Sequence, residues 1–408
     1  MSHRHRASNK IASFIQKFVP IDGWDTPEKI MRKLSLLPQF ALTGVCALLL
    51  LRPSIVMADS PVLNQLFPEM VNLLHAHDVL HARVFEEIEA TNDSPSAAIG
   101  KRLLMEQLEE LAEATASHYH SAGDHLAMLG PYRVFESRAV PGIIVTINRE
   151  QSAEQAAEAL TESGTLPAVA VETLKRGREF VEELLEIYLD DSYDDKKVAV
   201  DAAVERYLSD DKHSVAAMPK SDELLADHPY AYSYRVGFPQ LSGLTWASQW
   251  LKIATLELVA TAADQEAKIR DVENALQYYK EKTTRLHGSL VSLPSDIPTI
   301  PVIAPNFYTF HPEASAIVDN IEALKVVIGD VLAYPELMER SEAIETMVAD
   351  YTNKDDYLFS HRDYLISVLR GGIYNAGGPA RGGMERPDRN YSRERQENPH
   401  ISKFPMPQ

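Results

Sequence analysis

The spacing of apolar residues constrains the fold of this chain most strongly. Apolar residues recur three and four positions apart over most of the sequence beyond about residue 60, the period of an amphipathic α-helix. The segments with this pattern are 61–90, 95–129, 168–189, 197–208, 241–290, 312–332, 336–350 and 354–369. We therefore predict an all-α protein, an elongated bundle of about eight helices with an N-terminal helical hairpin.

Three segments depart from this pattern. Residues 138–147 contain a β-branched run that follows a Pro-Gly pair, and we predict a minor extended element there. A single helix over 241–290 would be about 75 Å long, so we expect it to be broken or to fold back as a long hairpin. Residues 371–408 are rich in Gly, Pro, Arg and Asn, which predicts a disordered tail.

Residues 31–58 have the organisation of a secretory signal peptide. They begin with a basic Met-Arg-Lys, continue through a mostly apolar stretch and end in Val-Met-Ala, which signal peptidase accepts. We expect a periplasmic or secreted protein, either cleaved before Asp59 or held by the segment as an uncleaved anchor. Residues 1–30 would then reflect a start codon assigned too early or a basic cytoplasmic segment. A mitochondrial presequence is a third interpretation.

The charge and the cysteine content argue against several classes of binding partner and of covalent or metal site. The chain has 40 basic and 59 acidic residues, and residues 1–58 hold eight of the basic and three of the acidic ones, so the exported part would carry a net charge of −24. This disfavours nucleic acid and anionic lipid, because both bind basic surfaces. We therefore expect contact with a membrane only if the leader is retained. Cys46, the only cysteine, lies in the leader, which excludes disulfides and thiolate metal sites from the exported part.

One group of residues predicts a site. His77 and His81 are four residues apart, so both imidazoles project from one helix face and can share a metal ion. Folding the two N-terminal helices into a hairpin places Glu109 opposite His77, and it lets Glu110 or Glu113 reach the same seam. Two imidazoles and a carboxylate suit a divalent metal such as Zn, Mn, Fe or Cu. Half-buried histidines with ordinary hydrogen bonds are the competing interpretation.

The domain organisation and motifs leave several functions open. We predict a His-rich hairpin over 59–135 and a helical domain with a long central helix over 136–370. The sequence has no Gly-x-Ser-x-Gly elbow and no glycine-rich phosphate loop followed by a helix. The leading hypothesis is an exported binding or scaffold protein without a catalytic site, which contacts a protein partner through helical surfaces. The alternatives are an exported metal-binding protein and a metal-dependent enzyme, both using the histidines of the hairpin.

Overall fold

The computed structural model describes residues 61–117, 130–284, 297–370 and 378–383. Regular structure in these ranges is helical, apart from one isolated antiparallel bridge between Lys220 and Leu358, so the all-α prediction is confirmed. The α-helices are α1 Pro61–Leu66, α2 Pro68–Asp93, α3 Ala98–Ser117, α4 Arg133–Ile147, α5 Ala153–Glu162, α6 Ala168–Leu189, α7 Lys196–Leu208, α8 Glu223–Ala226, α9 Ser233–Gly237, α10 Pro239–Thr261, α11 Gln265–Thr284, α12 Ile300–Ile303, α13 Pro305–Phe310, α14 Pro312–Ala333, α15 Arg340–Thr352, α16 His361–Arg370 and α17 Ala380–Gly383.

Some predictions concern residues outside the described ranges. The leader at 31–58, the C-terminal end of the second predicted helix and most of the tail lie there; of the tail, only 378–383 is described. Among the helices that are described, none is long and apolar enough to cross a membrane.

Four helices, α2, α6, α10 and α14, form the core that positions the candidate site. Almost all residues of 241–259 in α10 and of 314–333 in α14 are buried, and both helices pack on α2 and α6. Where α6 crosses α14, a Cβ on Gly177 would come within 2.6 Å of the Ile321 side chain. The missing side chain therefore lets the two helices approach closely. The core draws on residues from both sides of position 135.

The expected break within 241–290 is confirmed. The chain leaves the helical conformation after α10 and resumes it at Gln265, and α10 and α11 fold back against each other. The resulting hairpin buries the apolar stripe of both helices, including Leu258 and Leu276. Two helices of ordinary length thus replace the single long one.

The extended element predicted at 138–147 is wrong, because these residues belong to α4. Val140, Ile143, Ile144 and Ile147 are spaced by three and four and all four are buried. Packing of this stripe outweighs the lower helix propensity of β-branched residues. It also outweighs the backbone hydrogen bond that Pro141 cannot donate inside the helix.

Buried carboxylates on the longer helices satisfy the first turns of helices that begin at or beside a proline. The residue before α10 provides no side-chain cap. Instead, Glu136 Oε1 of α4 accepts the N–H groups of Gln240 (2.8 Å) and Leu241 (3.0 Å). Glu257 caps α13 in the same way, and Asp319 caps α12. Because free N–H groups in a first turn need acceptors, these carboxyl groups fix where each of the three helices begins.

Candidate functional site

The structure places His77 and His81 in the middle of the four-helix core, where they meet polar residues from two other helices. Each of the three helices contributes two residues that are three or four positions apart, the spacing that places both on one face. None of the six is more than 9% exposed. We call this group the His77 centre; it consists of His77 and His81 (α2), Ser248 and Lys252 (α10), and Glu322 and Lys325 (α14).

The hydrogen bonds of His77 determine which of its ring nitrogens carries the proton. Its Nε2 lies 2.8 Å from Lys325 Nζ and 3.2 Å from Lys252 Nζ. An ammonium group can only donate, so Nε2 accepts both bonds and Nδ1 keeps the proton. Nδ1 then donates to Ser248 Oγ at 2.7 Å. Burial, reinforced by the two ammonium groups, holds the pKa of His77 well below its usual value, so the ring is neutral.

Glu322 is the only carboxylate in direct contact with the two lysines of the centre among the described residues. Its Oε1 accepts from Lys252 and, at 3.0 Å, from Lys325. Its Oε2 makes no hydrogen bond to the described part of the chain and lies 3.7 Å from His77 Nε2. Burial alone would raise the pKa of Glu322, but the nearby ammonium groups outweigh it and hold this pKa well below its usual range. Burial also lowers the pKa of Lys252 to about 8, against the opposing effect of Glu322.

His81 lies beside His77 but is turned toward the backbone. Its Nδ1 donates to the backbone oxygen of His77 at 2.8 Å, and the two ring centroids are 4.3 Å apart. Burial, together with the charge of Lys325, lowers the pKa of His81 to about 3. Both imidazoles of the centre are therefore neutral at physiological pH.

A second charged group borders the centre and balances its charge. Arg178 of α6 binds Asp78 of α2 (2.7 Å) and Glu182 (2.8 Å), and His75 lies 3.9 Å from Glu182. With the two lysines and Glu322, three basic groups face three acidic groups in the four-helix core. Buried charges are tolerated when they are paired in this way. Because desolvation offsets much of their attraction, these pairs contribute less stability than their number suggests.

The structure does not place the predicted carboxylates Glu109 and Glu110 beside the histidines. Glu109 and Glu110 are exposed on α3, and the side chain of Glu113 lies outside the described residues. The predicted hairpin register is wrong at His77, because α10 and α14 cover that face of α2 while α3 packs on α9. Within the described residues, no three or more His, Cys, Asp or Glu side chains form a group that could hold a metal ion. Metal binding therefore stays a prediction.

Sequence reasoning missed Lys252, Glu322 and Lys325. Lys252 and Glu257 are the only charged residues in the 23 residues of α10, and both are buried. A charge isolated in an apolar helix is the signal that could have revealed them, because such a group needs a buried partner. Which helix supplies that partner depends on tertiary packing.

Comparison with known proteins adds no template for this centre. The chain matches no protein-family model, no curated protein and no solved structure.

Proposed function

We propose that this chain is an exported binding protein without catalytic chemistry of its own. The observation that supports the absence of catalysis is the direction of the hydrogen bond between His77 and Ser248. A serine nucleophile needs a base that accepts its proton, whereas His77 donates to Ser248 while two ammonium groups occupy its other nitrogen. The pair is therefore held in the tautomer that cannot activate the hydroxyl group.

The surface that best supports binding lies on α3. Ile99 is 68% exposed and Leu103 is 37% exposed, and Glu106 and Glu110 continue the same stripe and are also exposed. These four residues, spaced by four, three and four, define what we call the α3 face. It combines two exposed apolar side chains with two carboxylates. Exposed apolar side chains rimmed by polar residues mark recognition surfaces when they form a contiguous patch, and we take this pair as the centre of such a patch.

The charge of the α3 face and of the whole chain indicates the chemistry of the partner. The exported part carries a net charge of −24, which repels acidic partners and attracts basic ones. We propose that the α3 face binds an exported protein that presents apolar side chains followed by Lys or Arg one or two helical turns away. The apolar groups would cover Ile99 and Leu103. The basic groups would pair with Glu110 and with Glu106, where they would compete with the exposed Arg102 that lies 3.8 Å from Glu106.

Site-specific photo-crosslinking in a bacterial host that exports the chain tests this binding. A photo-crosslinking amino acid replaces Ile99 in one variant and Val198 in the control; Val198 is 63% exposed on α7, outside the α3 face. We expect a defined adduct only from position 99. The purified partner should bind more weakly to a Glu106→Lys/Glu110→Lys variant and at high salt, because both weaken charge attraction. Equal crosslinking from both positions, or none, would contradict the proposal, as would a partner whose contact segment is acidic.

Export is tested separately on the same host. Mass spectrometry of the periplasmic fraction should give a chain that begins at Asp59, or an intact membrane-held chain if the leader is an anchor. A full-length chain confined to the cytosol would remove the export part of the proposal and leave the binding part standing.

A metal-binding function is the second candidate, and one observation favours it. The neutral rings of His77 and His81 are adjacent, and the unpaired Oε2 of Glu322 lies 3.7 Å from His77 Nε2, so one imidazole and one carboxylate face each other beside a second neutral ring. Elemental analysis of the purified chain and of a His77→Ala/His81→Ala variant tests this candidate for Zn, Mn, Fe and Cu. Stoichiometric metal that is lost in the variant would support it. No metal in either protein, together with melting that added metal leaves unchanged, would eliminate it.

A further inference from the structure

Three charged or titratable side chains converge at a second buried position, at the C-terminal half of α14. His228 lies in the segment before α9, Arg235 lies on α9 and Asp330 lies on α14. Asp330 Oδ2 is 3.7 Å from His228 Nε2 and 3.9 Å from Arg235 Nη2, both too long for a direct hydrogen bond. The three side chains are 4%, 9% and 0% exposed, respectively. They form a site that is separate from both the His77 centre and the α3 face.

Each of these side chains carries polar atoms that bind no other described residue. They are Nε and Nη2 of Arg235, Oδ2 of Asp330 and both ring nitrogens of His228. Asp330 is held in place by its other oxygen, which accepts the N–H of Tyr234 at 2.8 Å. Buried polar groups in proteins are nearly always paired. The Arg235–Asp330 and His228–Asp330 ion pairs are too long for hydrogen bonds, so five buried polar atoms at this position keep hydrogen-bonding capacity that a small polar partner could use.

The unpaired atoms specify the chemistry of that partner. Nε and Nη2 form one edge of the guanidinium group, the fork that binds two oxygens of a carboxylate. Oδ2 of Asp330 is an acceptor that a positively charged donor satisfies best. The site carries one fixed positive and one fixed negative charge, so a ligand with both charges keeps the buried charge balanced. A simple carboxylate would leave Asp330 facing a second anion.

We propose that Arg235 and Asp330 bind a small zwitterion, an α-amino acid, with its carboxylate on the Arg235 fork and its ammonium group on Asp330 Oδ2. His228 completes the site by a hydrogen bond to the carboxylate. This inference is independent of the α3 face, since it concerns a small molecule and other residues. Either proposal can fail without affecting the other.

The segment 227–232 contributes His228 and the Tyr232 ring to this site. Tyr232, at its end, has a φ of +68°, a left-handed conformation that a tyrosine rarely adopts. The Arg235 guanidinium lies 4.3 Å from the centre of the Tyr232 ring, so this strained residue makes a cation–π contact with it. Asp227 and Pro229 are exposed on the outer side. A change of backbone conformation at Tyr232 would relieve the strain and open the site, and a ligand that binds the open form would shift the population toward it.

Isothermal titration calorimetry of the full exported chain with a panel of L-amino acids tests the proposal. Acetate and methylammonium, each carrying one half of the charge pattern, serve as ligand controls. We expect at least one amino acid to bind and neither control to bind at the same concentration. Arg235→Lys keeps the charge and loses the fork, and Asp330→Asn keeps the oxygen that Tyr234 needs and loses the charge. Each variant should weaken binding by about tenfold or more.

The matched control variant is Arg83→Lys, in an exposed ion pair with Glu86, which should bind as the wild type does. Circular dichroism and melting verify that the variants are folded. The proposal is overturned if no amino acid binds at millimolar concentration, if acetate binds as well as the amino acid, or if the folded Arg235→Lys and Asp330→Asn variants bind with unchanged affinity. A fall in affinity that is confined to these two variants supports it.

Discussion

Replacing Glu322 with Gln tests whether the charged core depends on this carboxylate. Glu322 Oε1 accepts from both Lys252 and Lys325, and all three side chains are at most 5% exposed. Gln keeps the shape and removes the charge, so two buried ammonium groups lose their contacting anion. Breaking a buried pair in this way typically costs about 3–5 kcal/mol. This is a large part of the total stability of a typical domain, about 5–15 kcal/mol.

Urea unfolding followed by circular dichroism measures this loss as a lower midpoint with an unchanged slope. The control is Glu86→Gln, which removes the carboxylate of an exposed pair with Arg83 and should cost less than about 1 kcal/mol. Adding Lys325→Met to Glu322→Gln should recover part of the stability, because it removes one of the two unpaired charges. The residues are in contact, so the coupling should be about 0.5–3 kcal/mol.

The pH dependence of this loss follows from the pKa values of the same groups. The pKa of Glu322 is held below its unfolded value of 4.5, so its contribution is present above that pH and is lost as the pH falls through the folded value. Glu322 raises the pKa of Lys252, which is about 8 in the wild type, so in the variant this lysine gives up its proton at a lower pH. The penalty of Glu322→Gln should therefore shrink as the pH rises toward 8. A penalty no larger than that of Glu86→Gln, or one that grows with pH, would refute this account of the core.

Two further substitutions test the capping carboxylates and the helix crossing. Glu136→Gln keeps the acceptor for α10 and removes an acid whose pKa burial raises to about 8. A raised pKa means that this group makes the wild type lose stability as the pH rises from 4.5 to 8. The Glu136→Gln variant should lack that loss when unfolding midpoints are compared across pH. Glu136→Ala removes the same acid and also the acceptor, so it should be about 1–2 kcal/mol less stable than Glu136→Gln at every pH. Gly177→Ala should cost about 1–3 kcal/mol in urea unfolding, because its Cβ would come within 2.6 Å of Ile321, and Ile321→Val should recover part of it.

The sequence predicts best the helices whose apolar period and start signal both lie within the helix or directly before it. The segment 168–189 coincides with α6, and 312–332 differs from α14 by one residue at its end. Both have a long apolar stripe and a proline at or just before their first turn, so the period and the start signal agree. The sequence signal for α4 is also present, as the spacing of its four buried aliphatic residues, but the β-branched composition of the same segment favours a strand and conflicts with it.

The short helices could not be predicted in the same way, because their stability is not local. The helix α13 has six residues, and α12 has four. Helices this short are not stable alone. Their first turns depend on Glu257 and Asp319, which lie at least 19 positions away in the sequence. A pattern search within a short window contains neither carboxylate, so only the tertiary fold reveals why these turns form.

In the candidate site, too, local spacing predicts one part and only tertiary packing reveals the other. A separation of four residues was enough to place His77 and His81 on one face, and the structure brings them together. The hairpin predicted acidic residues opposite them, whereas the structure provides Lys252, Lys325 and Glu322 from helices more than 170 positions away. Local periodicity determines which residues share a face, and the packing of distant helices determines what that face meets.

The two ammonium groups bear directly on the metal hypothesis, because they occupy the position that a cation would take. Lys252 and Lys325 donate to His77 Nε2 and to Glu322, the same acceptors that a divalent ion would use. A metal ion and the two ammonium groups therefore exclude each other, and a metal must displace protons to bind. The wild type should consequently bind Zn²⁺ weakly at neutral pH. Deprotonation of Lys252 near pH 8 should relieve only part of this competition, because Lys325 still donates to His77 Nε2.

A Lys252→Met/Lys325→Met variant isolates this competition. It leaves His77, His81 and Glu322 with one unpaired buried negative charge and a free imidazole nitrogen. We expect the variant to be destabilised without metal and to regain melting temperature when Zn²⁺ is added at neutral pH, since a ligand that binds only the folded state stabilises it. Adding His77→Ala should abolish the gain. If the wild type binds Zn²⁺ through His77 at neutral pH as tightly as the double variant does, the ammonium groups do not substitute for a cation and this interpretation is wrong.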